Sequence, residues 1–487
     1  MRYLQVFSLV GWVLSGTLSA QTLSEVQTVP FAGVRYSAVV LEDLNGDGHP
    51  DVFLCGQDST NQGISRMYFN DGQGQFMEEM NLAFDGVLGS SVAVKDLNGD
   101  GFPDLLLTGS NSFSVPGRIA KLYLNDGVGN FTEQPNTPFV GVWFGTLTLE
   151  DFNGDTYPDI FLTGQDSSQV RITKLYINDG VGNFTEKSGT PFEGLRFSSV
   201  ATADVNGDTL SDLLLTGQDS ALNRIAKLYL NDGGANFTEQ LGTPFTGVWE
   251  SSVAITDVNA DGHADVFLTG TQSSGLGLAK LYLNDGLGNF TEDPNVPFEG
   301  VWRSASAIAD FDGDVAPDLL LSGENSVGQR ISRVYLNDGN GSFSDLGGTA
   351  LDGVRFGAID TEDMNGDGRK DLFLTGENSQ GELIAKLYFN EEGTTSVETS
   401  LEGPSTDLLI SPNPASSLIN LKFHAATAGD ASIHILDMQG RVVFAKEAWV
   451  GLGEQVIPVE LPFMSHGRYA IRLQINHQQL ATVILVP

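Results

Sequence analysis

From about residue 22 to 395 the chain alternates short apolar runs with clusters of Asp, Asn, Gly and Ser. One unit shows the pattern. Gly145-Thr146-Leu147-Thr148-Leu149 alternates as a half-buried strand, and an acidic loop follows it. Ile160-Phe161-Leu162-Thr163-Gly164 is a nearly continuous apolar run, which predicts a strand covered on both faces. Gln165-Asp166-Ser167-Ser168 reads as a polar hairpin, and Ile172-Thr173-Lys174-Leu175-Tyr176-Ile177 alternates again. Asn178-Asp179-Gly180 is a turn, and Asn183-Phe184-Thr185-Glu186 opens a fourth strand. The unit recurs seven times, its acidic loops beginning at Asp43, Asp96, Asp151, Asp204, Asp257, Asp310 and Asp363, at spacings of 53, 55, 53, 53, 53 and 53 residues. Four strands per unit of about this length predict propeller blades.

Each loop reads D-x-[ND]-x-D-G-x-x-D, with slack at the glycine, and places oxygen side chains at its first, third, fifth and ninth positions. The candidate metal ligands are Asp43, Asn45, Asp47 and Asp51; Asp96, Asn98, Asp100 and Asp104; Asp151, Asn153, Asp155 and Asp159; Asp204, Asn206, Asp208 and Asp212. The last three loops supply Asp257, Asn259, Asp261 and Asp265; Asp310, Asp312, Asp314 and Asp318; and Asp363, Asn365, Asp367 and Asp371. A hard cation such as Ca²⁺ takes about six to eight oxygens, and alternate residues of a tight loop can turn three of them inward. Glycine at the fourth or sixth position permits the positive φ such a turn needs. Asp/Asn/Gly clusters also form ordinary turns, but a turn alone does not require an acid at three fixed positions in seven copies. The loop starts like an EF-hand, yet its twelfth position is apolar (Leu54, Leu107, Leu162) and strands flank it, so it joins two β-strands. Up to seven Ca²⁺ are expected. Copies lacking a glycine (Ala260, Thr156, Thr209, Val315) depart from the pattern, and Asp312 replaces the usual Asn.

These repeats resemble the FG-GAP/VCBS repeats of integrin-α-like propellers, over roughly residues 22–395. The resemblance implies a seven-bladed β-propeller with calcium in the loop between the first two strands of each blade. Eight residues separate the fourth-strand Phe from an apolar residue ahead of a Gly, as in Phe131 to Phe139 and Phe184 to Phe192. The same offset links Leu23 to Phe31, while no such Phe follows the seventh loop. The segment near Leu23-Ser24-Glu25 is therefore expected to supply the outer strand of the last blade and to close the ring.

Residues 1–20 read as a signal peptide, with Arg2 ahead of an apolar stretch and Ser19-Ala20 at its end. Residues 21–395 form the propeller, and 396–407 read as a linker rich in Ser, Thr, Glu and Gly. Residues 408–487 lack the loop and carry alternating strands such as Leu418–Phe423. Pro412-Asn413-Pro414, Asp437-Met438-Gln439-Gly440-Arg441 and Gly467-Arg468-Tyr469 make this part resemble the C-terminal sorting domain of type IX secretion, a small Ig-like β-sandwich. The Lys often found ahead of the last strand is missing. The resemblance implies a protein secreted from, or attached to the outer surface of, a Gram-negative bacterium, and engaging the type IX machinery. The fold class is thus all-β.

The net charge of −37 would fall to −23 with seven Ca²⁺. The remaining acidity disfavours nucleic acid or an anionic membrane as partner. No later stretch is long and apolar enough for a transmembrane helix. The single cysteine, Cys55, stands where other copies hold Thr or Ser, so it reads as a small strand residue and not a nucleophile.

On the face opposite the acidic loops, the entries to the inner strands differ between copies: Arg35-Tyr36, Leu88-Gly89, Trp143-Phe144, Arg196-Phe197, Trp249-Glu250, Trp302-Arg303 and Arg355-Phe356. Aromatic faces stack on sugars or apolar groups, and Arg forks carboxylates. Tyr36, Trp143, Arg196, Trp249, Trp302 and Arg355 are the candidate ligand-binding residues, expected to ring the axis; packing between blades is the competing reading. The repeated Asn-Phe-Thr at Asn130, Asn183, Asn236 and Asn289 sits at a fixed turn and reads as structural, although it fits a glycosylation sequon. His49 and His263 lie in the acidic loops, and no nucleophile with its base stands out. The sequence therefore favours a non-catalytic adhesion or binding module for an extracellular glycan or protein. A calcium-dependent, lyase-like polysaccharide-degrading enzyme and a purely structural surface protein are the alternatives.

Overall fold

The computed structural model describes residues 22–27, 29–112, 117–347, 351–391, 409–411, 418–425, 427–436, 442–461, 467–475 and 478–486. The predicted leader (1–20), linker (396–407) and the marks at 412–414 and 437–441 lie outside them. The chain divides into two compact units, Met1–Thr395 and Ser396–Pro487.

The first unit contains seven four-stranded antiparallel blades. Blade four is typical: Arg196–Ala203, Asp212–Gln218, Arg224–Asn231 and Phe237–Glu239 pair in sequence order. The apolar second strands of six blades are buried along their whole length, as in Asp212–Gln218 and Asp265–Thr271, and that of blade three is buried up to Gly164. Their side chains enter seven apolar clusters, one at each junction between blades. Phe161 and Leu175 of blade three, for example, pack with Leu213, Leu215 and Tyr229 of blade four. In six blades a Phe preceding the inner strand wedges into these junctions, as Phe192 does edge-on against Phe161 and Tyr229 at 5.0 Å, and Leu351 takes its place in the seventh. The ring closes as expected. Thr22–Glu25 pairs antiparallel with the last strand of blade seven, Leu23 opposite Asn390 and Ser24 opposite Phe389.

One expectation changes. The inner strand of blade three is not continuous over Gly145–Leu149 but splits into Val142–Trp143 and Leu147–Glu150. The break falls beside Phe144, whose φ of 48° lies in the left-handed region.

In the second unit, one sheet holds Leu409–Ser411, Leu418–Ala425 and Gly453–Glu460. The other orders Val442–Val450, Gly429–Leu436, Gly467–Ile475 and Gln478–Val486. Every second residue points into one core: Ile419, Leu421 and Phe423 from the first sheet, Ile433, Ile435, Ile471 and Leu473 from the second. No helix of the described residues is long and apolar enough to cross a membrane.

Candidate functional site: two rims of the propeller

The acidic loops share one rim, and their carboxylates organise the backbone. In the first, Asp43 Oδ1 accepts the N–H groups of Gly46 (2.7 Å) and Asp47 (3.2 Å), and Oδ2 accepts that of Gly48 (2.8 Å). Asn45 Oδ1 accepts the Asp47 N–H, and Asp47 Oδ1 accepts the His49 N–H. The sixth position is left-handed even where glycine is missing: φ is 77° at Thr156, 72° at Thr209 and 77° at Val315, and Ala260 at the fourth position has 57°. Seven loops thus adopt one shape, four of them against the preference of an L side chain.

The ninth-position acids play a part the sequence reading missed. Asp51, Asp104, Asp159, Asp212, Asp265, Asp318 and Asp371 are almost wholly buried at the start of the second strands. Asp51 Oδ2 accepts the N–H of Leu44, and Oδ1 accepts the N–H of Asn70. The Asn70 side chain then donates to the Met364 carbonyl in the loop of the preceding blade. The same latch recurs as Asn125 to Leu44, Asn178 to Leu97, Asn231 to Phe152, Asn284 to Val205, Asn337 to Val258 and Asn390 to Phe311. Acid nine and the turn Asn therefore fasten each blade to its neighbour. Burial raises these acids, Asp51 and Asp371 to about 7 and Asp104, Asp159, Asp212, Asp265 and Asp318 to about 6.

The first, third and fifth side chains converge. In the sixth loop Asp310, Asp312 and Asp314 each offer a carboxylate oxygen, all within 4.8 Å of one another. Among the described residues this is the one such set of acidic, imidazole or thiol groups, so the ninth-position acids do not join the first and fifth at that span. Burial, followed by the Asp314 charge, raises the Asp312 carboxyl. Three anionic oxygens so close suit a hard cation, whereas Asn98, Asn153, Asn206 and Asn259 at the third position donate their amide N–H to the fifth-position carboxylate at 2.9–3.0 Å. The two loop histidines pack instead: a Cβ at Gly72 would lie 2.4 Å from the His49 ring, and one at Gly286 2.4 Å from that of His263. The Asn of each Asn-Phe-Thr is likewise engaged, Asn130 and Asn183 donating to Asp126 and Asp179.

The opposite rim is built around a circle of main-chain hydrogen bonds. Tyr36, Gly89, Phe144, Phe197, Glu250, Arg303 and Phe356, one per blade, all have φ between 47° and 58°. Phe144 N–H donates to Gly89, Phe197 to Phe144, Glu250 to Phe197, Arg303 to Glu250, Phe356 to Arg303 and Tyr36 to Phe356, at 2.5–3.1 Å. The Ser90 hydroxyl bonds the Tyr36 carbonyl at the remaining step. These second residues of each pair, and not the first, surround an axial cavity of about 140 Å³.

The predicted ligand residues are therefore redistributed. Tyr36 lines the axial cavity, whereas Trp143, Arg196, Trp249, Trp302 and Arg355 stand one step outward. The left-handed turn at each entry rotates consecutive side chains apart, and no sequence alternation rule anticipates it. Outward residues meet the ends of the second strands. Trp143 Nε1 donates to Gln165 (3.3 Å) and Arg196 to Gln218 (3.1 Å). Arg355 bridges Glu324 (2.6 Å) and Glu377 (3.1 Å), and Arg35 and Arg330 also reach Glu377 at 2.8 Å. Arg303 lies 3.9 Å from the Trp302 ring centre, a cation–π contact.

Residues 43–107, 96–162, 151–215, 204–268, 257–321 and 310–374 match the FG-GAP-like repeat. Residues 409–486 match the secretion system C-terminal sorting domain. The T-cell immunomodulatory protein of Rattus norvegicus is 25% identical over 342 residues, 64% of this chain and 54% of that protein. The phosphatidylinositol-glycan-specific phospholipase D of Homo sapiens is 28% identical over 173 residues, 30% of this chain and 20% of that protein. The chain thus spans between a fifth and about half of the length of these relatives. Among solved structures, AofleA from Arthrobotrys oligospora aligns over 66% of this chain and 88% of its own at 11% identity, with a TM-score of 0.39. The Aleuria aurantia lectin aligns over 65% and 96% at 14% identity, with a TM-score of 0.38.

Proposed function

The chain belongs to the FG-GAP-like repeat family, and from that premise we propose that its propeller is a non-catalytic, calcium-stabilised module binding an extracellular glycan or protein. The C-terminal sorting domain marks it for type IX secretion, so the protein is secreted or attached to the outer surface. One observation carries the reading. Seven blades repeat a single loop rim almost unchanged, while the opposite rim varies its side chains around a fixed circle of main-chain bonds. A rigid frame that presents Trp, Arg and Tyr groups differing from blade to blade is what a recognition surface requires.

In this reading the first, third and fifth residues of each acidic loop would hold Ca²⁺, which neutralises their clustered charge and fixes the loop. Tyr36, Trp143, Arg196, Trp249, Trp302 and Arg355 would contact the ligand. The test is a screen of the calcium-loaded chain against a glycan array and a panel of extracellular proteins, repeated with Trp249→Ala and Trp302→Ala combined. Binding by the parent that is lost in the double variant supports the reading. Binding that the double variant retains removes this rim from it. Release of shortened product from a polysaccharide would replace it with the enzymatic alternative.

A further inference from the structure

On the varied rim, the outward side chains of Arg35, Trp143, Arg196 and Arg355 each have a partner at the end of a second strand, whereas the Trp249 indole has none. Arg35 Nε reaches Gln57 at 2.9 Å, Trp143 Nε1 reaches Gln165 and Arg196 reaches Gln218. In blade five the position opposite Trp249 is Thr271, which pairs with it through main-chain bonds in both directions (2.9 and 3.3 Å). Thr is shorter than Gln by an amide group, and Trp249 Nε1 is left buried without an acceptor. The Thr271 hydroxyl, 3% exposed, is also unpartnered.

The neighbouring blade adds a third donor. Arg224 occupies the same repeat position as Arg330, which is paired with Glu377, and Arg171, which is bonded to Gln218. Arg224 lies over the Trp249 ring, 5.5 Å from its centre, as Arg118 lies over Trp143, and in both the Nη1 is buried without a partner. Glu250, next in the chain, is within electrostatic reach of Arg224, and its Oε2 accepts no hydrogen bond. It stands 3.4 Å from Arg303 Nε, an ion-pair distance without hydrogen-bond alignment. Buried polar groups left unmade are costly, and the donors of Arg224, Trp249 and Thr271 leave this junction short of acceptors, with Glu250 beside them.

We propose that the junction of blades four and five is a subsite for the carboxylate of an acidic saccharide. Arg224 Nη1, Trp249 Nε1 and Thr271 Oγ1 supply three donors to the carboxylate, one oxygen of which takes the part that Gln165 Oε1 plays for Trp143 in blade three. Glu250 Oε2 accepts from a hydroxyl beside it. A sugar acid carries both kinds of group on one ring, whereas an acidic peptide side chain offers only the acceptors. The inference rests on the varied rim being the binding surface, and it adds the ligand's chemical class and the place of its charged group.

The experiment titrates the calcium-loaded full chain with oligogalacturonate, with oligoglucuronate, with neutral oligosaccharides of the same length and with an oligoglutamate peptide. Thr271→Gln is the informative variant, because it returns the missing acceptor to the protein itself. It is expected to raise the melting temperature and to weaken uronate binding at least tenfold. Trp249→Phe, which removes the N–H and keeps a ring, is expected to weaken binding severalfold. Uronate binding unaltered by Thr271→Gln overturns the subsite while leaving the rim as a binding surface. Preference for neutral sugars or for the peptide overturns the ligand class. Absence of all saccharide binding overturns the subsite, and the broader screen then decides the rim.

Discussion

The two rims of the propeller answer different physical demands. At the loop rim all seven copies place an acid at three fixed positions and a turn Asn in the same latch. At the opposite rim the main chain is equally regular, but the side chains run from Gly89 to Trp249 and Arg355. The difference shows which groups hold the ring together. A buried Asp fastened by two N–H groups cannot be exchanged without orphaning them, so the loop rim tolerates little change. A left-handed main-chain position costs about 1–2 kcal/mol for a residue with a Cβ, yet it leaves the side chain's identity open.

Removal of calcium is expected to separate the rims most. Each filled site stabilises by about 2.7 kcal/mol at a hundredfold excess over Kd, so EDTA should lower the melting temperature by more than about 10 °C. A melting curve unmoved by EDTA would sink the calcium assignment. Hydrogen exchange should quicken first at the amides of Gly46, Gly99 and their counterparts, with the axial circle following only on global unfolding.

The latch and the varied rim can be compared by paired substitutions. Asn231→Ala removes the bond to the Phe152 carbonyl and is expected to cost about 2–3 kcal/mol. Arg196→Ala, on the opposite rim, removes a half-buried contact to Gln218 and should cost below about 1 kcal/mol. Denaturant titration gives both values. Equal losses would erase the energetic distinction between the loop rim and the varied rim.

The pH dependence sharpens the same contrast. The ninth-position acids are raised by burial from an ordinary 3.8 to about 6 or 7. A raised acid binds its proton more tightly in the folded state. Its stabilising effect is therefore full below the unfolded value and is lost as pH rises through the folded one. The calcium-free propeller should lose stability between about pH 4 and 7. The calcium-loaded protein should change oppositely, because protons compete with the ion for the loop acids. Melting curves at pH 5.5 and 7.5, with and without EDTA, test the crossover. Parallel curves would count against the coupling.

What could be read from the sequence follows the same division. Periodicity and seven in-phase loops identified the blades, and the offset from Leu23 to Phe31 identified the strand that closes the ring. These are local, repeated signals. The ninth-position acid stands out in the motif, but its N–H donors come from residues 7 before and 19 or 21 after it, separations a loop motif does not display. The axial circle was illegible for another reason. Tyr36, Phe144, Phe197, Glu250, Arg303 and Phe356 are not residues that announce a positive φ; only Gly89 is. The ring imposes that conformation, so of the six candidates expected at the axis Tyr36 alone lines it, and the other five are the first members of their pairs.

Cys55 offers the smallest and most local test of the comparison. It occupies a slot between blades where Thr163, Thr216 and Thr269 bond Ser198, Ser251 and Ser304 at 2.5–2.8 Å. Its thiol donates to Ser90 at 3.3 Å, and burial pushes it up to about 11. Cys55→Thr should therefore cost no more than about 1 kcal/mol, because the hydroxyl finds the partner that the repeat has placed there. Thiol labelling of the native protein should be slow and should follow unfolding. A strongly destabilised Cys55→Thr variant would mean that blade one has departed from the shared geometry, and that the repeats are less interchangeable at their core than along the loop rim.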